Sequence, residues 1–86
     1  MFNIATLSEE GLDKELFEVL RLLRLRLAEQ QAIPPYIVLT DKTLHLLAAQ
    51  RPTTIEEFGT ISGIGEYKKE KYGKDFVDAI NNFLNR

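Results

Sequence analysis

The sequence has no cysteine and only one histidine among its 86 residues. Without thiols there is neither a disulfide nor a thiolate metal site, so the stability must come from packing and an intracellular location fits best. His45 has no second histidine or cysteine to complete a metal site, and it is expected on the surface. Long apolar runs are missing, and the first residues lack the basic and apolar regions of a secretory signal. We therefore expect no membrane segment and a cytoplasmic location.

Catalytic motifs are missing as well. No acid–base pair and no nucleophile beside a base is evident in the sequence. Asp41 follows Thr40 at a predicted helix start, where capping and helix-dipole effects contribute about 1 kcal/mol and explain the carboxylate without catalysis. The chain also lacks the Gly-x-x-x-x-Gly-Lys-[Ser/Thr] loop that holds ATP phosphates. This domain is therefore not expected to be an enzyme or to hold a cofactor of its own.

No excess of one charge sign is present: 11 basic side chains nearly balance 13 acidic ones, and the net charge is −2. Residues 1–20 hold five acidic residues against one lysine (−4), whereas residues 21–86 hold ten basic against eight acidic residues (+2). The globular part is thus mildly basic, well short of a domain that binds DNA tightly. Any electrostatic binding should be weak, roughly micromolar at best, and strongly dependent on salt.

What the chain does have is helical periodicity. An apolar content of 44% suits one compact domain, which would bury roughly 60% of the surface of its unfolded chain. Residues 1–12 are interpreted as an N-terminal arm or linker remnant and residues 13–86 as the domain. A first helix is predicted from Asp13 to about Gln31. One of its faces carries apolar residues at spacings of three and four, namely Leu16, Leu20, Leu23 and Leu27 with Val19 alongside.

The middle of the chain predicts short helices between rigid breaks. Pro34 and Pro35 end the first helix, and a rigid connector should then reach Leu39. Thr40 is the predicted N-cap of a second helix that buries Leu44, Leu47 and Ala48, and Pro52 ends it. Two overlapping capping boxes start a third, short helix. They pair Thr53 with Glu56 and Thr54 with Glu57, and the helix directs Ile55, Phe58 and Ile61 inward.

A glycine turn, Ile61-Ser62-Gly63-Ile64-Gly65, follows the third helix. Two glycines at this spacing allow a sharp turn through positive φ, after which the N–H groups opening the next helix can face a phosphate. Such a helix-hairpin-helix-like signal makes nucleic acid the leading ligand class. A fourth helix, 66–72, is expected to end at Gly73, and a fifth, 75–85, to bury Phe76, Ile80, Phe83 and Leu84. The predicted fold is all-α.

The order of these blocks resembles the HRDC domain, the helicase and RNase D C-terminal domain of RecQ-type DNA helicases and RNase D. The resemblance spans about residues 16–84. It is carried by Leu20-Arg21-Leu22-Leu23-Arg24, Ile33-Pro34-Pro35-Tyr36-Ile37-Val38, Asp41 with Thr43-Leu44, and Ile61-Ser62-Gly63-Ile64-Gly65 with Lys68, Tyr72-Gly73 and Phe76. The segment from Tyr36 to Asp41 looks closer to the helicase members.

The resemblance implies a compact bundle of five or six helices that assists a larger enzyme in binding nucleic acid. The chain is then an excised domain, and its parent would be an ATP-dependent DNA helicase whose motor domains bind ATP and Mg. Expected partners are single-stranded or structured DNA, bound weakly, and the helicase core of the same chain. No membrane partner is expected, and the domain should be a monomer in the cytoplasm, near the nucleoid in a bacterium.

Tyr36 is the first candidate contact for nucleic acid. On a connector behind two prolines its ring could stack on an unpaired base, worth about 1–3 kcal/mol per base. Arg21 and Arg24 share a helix face and could hold an adjacent phosphate. The alternatives are a ring folded onto the first helix and arginines engaged in helix salt bridges, for example with Glu18.

The glycine turn and the lysines after it form the second candidate contact. Its residues are Gly63, Gly65, Lys68, Lys69 and Lys71. The glycines are needed for the turn whether or not a phosphate binds. Glu66 opposes anion binding, because a carboxylate at a helix start uses the same N–H groups. The alternative for the lysines is a solvated helix face.

Three functions are therefore carried forward. The first is an accessory DNA-binding domain of a RecQ-like helicase that aids substrate selection in recombination and repair. The second is a protein-interaction module that docks on the helicase core or a repair partner, which the acidic balance favours. The third is an RNA-binding domain of an RNase D-like exonuclease, which requires a nuclease domain in the parent chain.

Overall fold

A computed structural model describes residues 9–86, and these residues form helices and no strand. The helices are α1 (Glu9–Gln31), α2 (Pro35–Val38), α3 (Asp41–Gln50), α4 (Ile55–Gly59) and α5 (Glu66–Leu84). The all-α prediction is confirmed. The first helix starts at Glu9 and not at Asp13, so it includes part of the predicted arm. The rest of that arm, residues 1–8, lies outside the described residues.

Helix α1 is the centre of the bundle, packing against α2, α3 and α5, while α4 packs against α5. The predicted apolar face of α1 is buried, as are the predicted core positions of α3. Phe58 of α4 and Phe76 of α5 stack in the core with ring centroids 6.0 Å apart. Three predictions of inward side chains were wrong, because Val19, Ile55 and Leu84 are 38%, 39% and 42% exposed.

The predicted start of α3 is confirmed. Thr40 is its N-cap, and its hydroxyl oxygen accepts a hydrogen bond from the backbone N–H of Thr43 at 3.3 Å. The helix ends at Gln50, where Arg51 takes a left-handed conformation (φ 52°) and Pro52 follows. Because Pro52 has no N–H to continue the helix, it fixes the end of α3 as expected.

Helix α4 starts with one capping arrangement in place of two. The Oγ1 of Thr54 accepts from the N–H of Glu57 at 3.1 Å, and the Glu57 carboxylate accepts from the N–H of Thr53 at 3.0 Å. The second predicted box, Thr53 with Glu56, was wrong, since a helix has one N-cap and Thr54 occupies it. The backbone hydrogen bond from Thr53 lowers the pKa of the Glu57 carboxyl.

Helix α5 runs through Gly73, so the prediction of two helices separated there was wrong. A glycine inside a helix costs about 1 kcal/mol relative to alanine. Burial of Phe76 and Ile80, each fully buried, offsets this, at about 1.5–3 kcal/mol per side chain. The glycine also faces α4, where a Cβ atom would lie 3.3 Å from Cγ2 of Ile55.

The rigid connector that was predicted after the two prolines contains one helical turn, α2. Pro34 has the extended conformation (φ −62°, ψ 144°) and precedes the helix. Pro35 opens α2, where its missing N–H removes no hydrogen bond and its fixed φ suits the helix. The prolines thus stop α1 as expected and also begin the next turn.

Glu57→Gln should make the stability less sensitive to acid. The pKa of Glu57 is lowered in the folded state, so its charge stabilises the fold above the unfolded pKa, and this contribution is lost as the pH falls through the folded pKa. Glutamine retains a neutral capping acceptor without the titration. Thermal unfolding followed by circular dichroism between about pH 7 and pH 3 measures the difference.

The matched control is Glu56→Gln, which removes a neighbouring carboxylate that takes no part in the cap. Wild type and Glu56→Gln should lose stability in parallel on acidification, and Glu57→Gln should lose less. Equal slopes for all three proteins would contradict the role assigned to Glu57.

Candidate nucleic-acid interface

Helix α2 presents an aromatic side chain to solvent. Tyr36 is 63% exposed and Ile37 is 46% exposed, whereas Val38 and Leu39 are fully buried. The two buried residues anchor the turn in the core, and the two before them consequently face outward. The ring of Tyr36 therefore lies in solvent and not folded onto α1, and whether it contacts a base stays a prediction.

Arg24 supports helix α2 from the core side. Its side chain is largely buried, and Nη1 donates to the carbonyl oxygen of Leu39 at 3.0 Å and pairs with the carboxylate of Asp41 at 2.8 Å. Among the described residues, Nε of Arg24 is buried without a hydrogen-bond partner. The guanidinium thus fastens α1 to the junction of α2 and α3, and this use competes with the predicted phosphate contact.

The sequence contains one signal for the burial of Arg24. Ala28 lies on the same stripe of α1 one turn later and is 1% exposed. A small residue beside an arginine on one helix face indicates close packing on that face. The partner, Asp41, is distant in the sequence, so helical periodicity does not reveal the pair.

Arg21 lies on the outer surface of α1 and pairs with Glu18. Its Nε donates to Oε1 of Glu18 at 3.0 Å, and Nη2 contacts the same oxygen. The hydrogen bond lowers the pKa of Glu18 and raises the pKa of Arg21. Exposed pairs of this kind contribute little to stability and are easily exchanged, so Arg21 remains available to an incoming phosphate.

The glycine turn is seated on α3. Thr43 donates through Oγ1 to the carbonyl oxygen of Ser62 at 3.0 Å, while Ile61 and Ile64 are buried on either side. Gly63 has φ 94°, and a Cβ atom there would lie 2.2 Å from Oγ1 of Thr43. Glycine at position 63 is therefore required both by the backbone and by the close approach of α3.

Gly65 differs from Gly63 in this respect, and the prediction that both glycines turn through positive φ was wrong for Gly65. Its φ is −90° and its ψ is −178°, an extended conformation open to any residue. No atom lies within 4 Å of a Cβ built there. Gly65 is the N-cap of α5 and supplies no side chain to the first N–H groups of that helix, which stay open to another acceptor.

The lysines of α5 have different surroundings. Lys69 is half-buried, with Nζ 3.7 Å from a carboxylate oxygen of Glu66. Lys68 is half-buried and makes no ion pair within residues 9–86. Lys71 is exposed and donates to the hydroxyl of Tyr67 at 3.1 Å, a hydrogen bond that raises the pKa of Lys71. The lysines therefore do not form one continuous basic patch.

The described part of the chain contains neither a metal-binding cluster nor a helix that could span a membrane. No group of three or more His, Cys, Asp or Glu side chains there could hold a metal ion. None of the helices there is long and apolar enough to cross a membrane. His45 is exposed and stacks on Phe17, with ring centroids 4.2 Å apart and an interplanar angle of 13°.

The bundle is all-helical, with a proline-bounded helical turn and a glycine hairpin seated on α3, and these features define a small helical module. The family model described as the HRDC domain matches residues 13–80. The chain belongs to the HRDC domain family. In RecQ helicases this domain is an accessory one, and the enzymatic activity lies in the helicase core.

Relatives and a solved structure agree with this assignment. The chain is 41% identical over 66 residues to the ATP-dependent DNA helicase RecQ of Bacillus subtilis, covering 77% of this chain and 11% of that protein. It is 40% identical over 68 residues to the ATP-dependent DNA helicase UvrD2 of Mycobacterium tuberculosis, covering 79% of this chain and 10% of that protein. The chain thus spans about a tenth of the curated relatives it matches.

The solved structure is HRDC domain 3 of RecQ from D. radiodurans. It superposes with a TM-score of 0.83 at 38% identity and covers 86% of this chain and 97% of that chain. The five helices described above therefore make up the HRDC fold, and the resemblance inferred from the sequence is confirmed.

Arg24→Met should destabilise the domain by about 1–3 kcal/mol, because it leaves the carbonyl oxygen of Leu39 and the carboxylate of Asp41 without their donor. Methionine retains most of the aliphatic volume, so the change tests the hydrogen bonds. Arg21→Met is the matched control on the same helix and should stay within about 0.5 kcal/mol of wild type. Urea unfolding measures both, and equal stabilities of the two variants would contradict the bridging role of Arg24.

Gly63→Ala should destabilise the hairpin strongly, whereas Gly65→Ala should not. Alanine at position 63 must adopt a left-handed conformation, at about 1–2 kcal/mol, and its Cβ must also displace Oγ1 of Thr43. Alanine at position 65 meets no atom and loses only the preference of an N-cap for glycine over alanine, about 0.5–1 kcal/mol. The two variants are compared by urea unfolding. A similar loss in both would show that the turn tolerates a side chain at neither position.

Proposed function

We propose that this chain is an accessory domain of a RecQ-like ATP-dependent DNA helicase that binds single-stranded or partly unpaired DNA weakly. In that role it aids substrate selection in recombination and repair. The observation that carries the proposal is the placement of Tyr36, an aromatic ring in solvent on a turn that is anchored from below. An exposed aromatic ring is the feature that single strands use for stacking, because every base has a π face.

Phosphate contacts would accompany the stacked base. Arg21 lies exposed on α1 in a pair that exchanges easily, while Lys68 and Lys71 lie on α5 beyond the hairpin. Arg24 acts in this scheme through the position of α2, since its guanidinium holds the carbonyl oxygen of Leu39. The contribution of Gly63 and Gly65 is the hairpin itself, which leaves the first N–H groups of α5 uncapped by any side chain.

Weak binding is sufficient for such a domain. Charges of both signs border the proposed surface, including Asp41 and Glu66, so electrostatic attraction is modest. Tethered to a motor that already holds DNA, however, the domain acts at an effective concentration near the millimolar range. An intrinsic micromolar affinity then contributes substantially to the avidity of the parent enzyme.

The parent enzyme would supply everything catalytic. ATP and Mg would bind in its motor domains, and its helicase core would be the first protein partner of this domain. The domain would act as a monomer in the cytoplasm, close to the chromosome. The curated relatives named above are DNA helicases, and their names support a helicase parent over an RNase D-like exonuclease.

Tyr36→Ala should weaken binding to a fluorescein-labelled oligo-dT by about fivefold or more, the effect of losing one stacked base. Fluorescence anisotropy measures the titration at low and moderate salt. For wild type the logarithm of the affinity should fall with the logarithm of the salt concentration with a slope of about −0.7 per phosphate contact on a single strand. Because Tyr36→Ala removes no charge, it should keep this slope.

Leu22→Ala is the matched control, because Leu22 is 53% exposed on α1 and is not assigned a contact with DNA. It should bind like wild type. No binding by wild type at low salt and high protein concentration would contradict the proposal and favour the second candidate.

The second candidate is docking on the helicase core or on a repair partner, and a specific surface favours it. Val19, Leu22 and Leu25 are exposed apolar residues of α1. The first two line a groove of about 470 Å³ between α1 and α5, whose α5 wall includes Asp75 and Asp78. Arg26 of α1 belongs to the same lining. A groove that combines apolar side chains with charges of both signs suits a protein partner.

A further inference from the structure

Tyr67 is the most exposed of the large apolar and aromatic side chains in the described part of the chain, at 69%. It is the second residue of α5, directly after the hairpin, and the sequence analysis assigned it no role. A tyrosine that exposes most of its ring adds little buried area to the core, so packing does not account for it. Its surroundings indicate what it can do.

Lys71 donates a hydrogen bond to the hydroxyl group at the edge of the Tyr67 ring. Nζ of Lys71 lies 3.1 Å from the hydroxyl of Tyr67 but 5.4 Å from the ring centroid. These two distances place the ammonium group beyond the hydroxyl edge of the ring and not above its face. The hydrogen bond restricts the rotation of the ring, and the faces remain uncovered by Lys71. A pre-oriented ring loses less conformational entropy when a planar group stacks on it.

Tyr67 also lies at the same end of the bundle as Tyr36. Gln31, the last residue of α1, donates to the hydroxyl of Tyr72 at 2.9 Å, and the ring of Tyr72 is 5.6 Å from Nζ of Lys71. This part of α5 is therefore beside the end of α1, from which the chain passes directly into α2 and Tyr36. Both exposed tyrosines thus lie toward the C-terminal end of α1.

We propose that Tyr67 is a second base-stacking residue for single-stranded DNA and that Lys71 orients its ring and contacts the adjacent phosphate. The inference deepens the proposed function and rests on it. One aromatic residue on α2 and one on α5 would let the domain hold two separated bases of the same strand. Lys71 has a specific task in this arrangement, since its ammonium group is next to the ring and exposed.

Tryptophan substitutions test each position separately, because the chain contains no tryptophan of its own. Tyr67→Trp and Tyr36→Trp each place one indole at one proposed stacking position. Leu22→Trp places one on a face with no assigned contact with DNA. On titration with oligo-dT, stacking should quench the first two indoles saturably and leave the third unchanged. Fluorescence quenching at one indole reports local contact, which a merely structural role of Tyr67 would not produce.

Affinity measurements complete the test. Tyr67→Ala should weaken oligo-dT binding at least about fivefold, while Tyr67→Phe, which keeps the stacking face and loses the hydroxyl, should weaken it less. Lys71→Met should also weaken binding and make the salt slope shallower by about 0.7, the value for one phosphate contact. Circular dichroism melting should be unchanged in Tyr67→Ala, because the side chain is exposed.

The outcomes separate this inference from the proposed function. If Tyr36→Trp is quenched, Tyr67→Trp is not, and Tyr67→Ala binds like wild type, the role of Tyr67 is overturned and the domain remains a DNA-binding module. If wild type binds no oligo-dT at low salt, both are overturned. Quenching at both positions together with weaker binding by Tyr67→Ala supports the inference.

Discussion

The rest of the candidate nucleic-acid interface depends on the hydrogen bond and the ion pair made by the buried guanidinium of Arg24. This guanidinium joins α1 to the carbonyl oxygen of Leu39 at the end of α2 and to the carboxylate of Asp41 at the start of α3. Both acceptors are served by one nitrogen, Nη1, which carries two N–H groups. Burying a charge this way is favourable only with its acceptors in place, so the turn and the arginine support each other.

Regular periodicity made the large elements predictable, and the rest depended on contacts distant in sequence. The leucine face of α1, the Thr40 cap and the all-helical class follow from local patterns. Glycine commonly ends helices, but α5 continues through Gly73 because the apolar stripe on either side of it continues and α4 packs close to it. Local propensity was outweighed by burial of the aromatic and aliphatic residues of α5.

For the candidate site, likewise, local features were predictable from the sequence and contacts between helices were not. Tyr36 was located from the prolines that precede it, because prolines act locally on the backbone. The involvement of Arg24 with Leu39 and Asp41, and the seating of Ser62 on Thr43, join residues from different helices. Helical periodicity reports which residues share a helix face and does not indicate which residues of other helices they contact. The hairpin glycines look equivalent in sequence, but only Gly63 has a positive φ and the close approach of Thr43.

The continuity of α5 has a mechanical consequence. A helix of 19 residues rises about 28 Å at 1.5 Å per residue, and this one runs without a break from the glycine hairpin past the acidic wall of the groove beside α1. The hairpin end and the groove therefore belong to a single stiff rod. A DNA strand bound at the hairpin end and a protein bound at the groove would therefore keep a fixed orientation relative to each other.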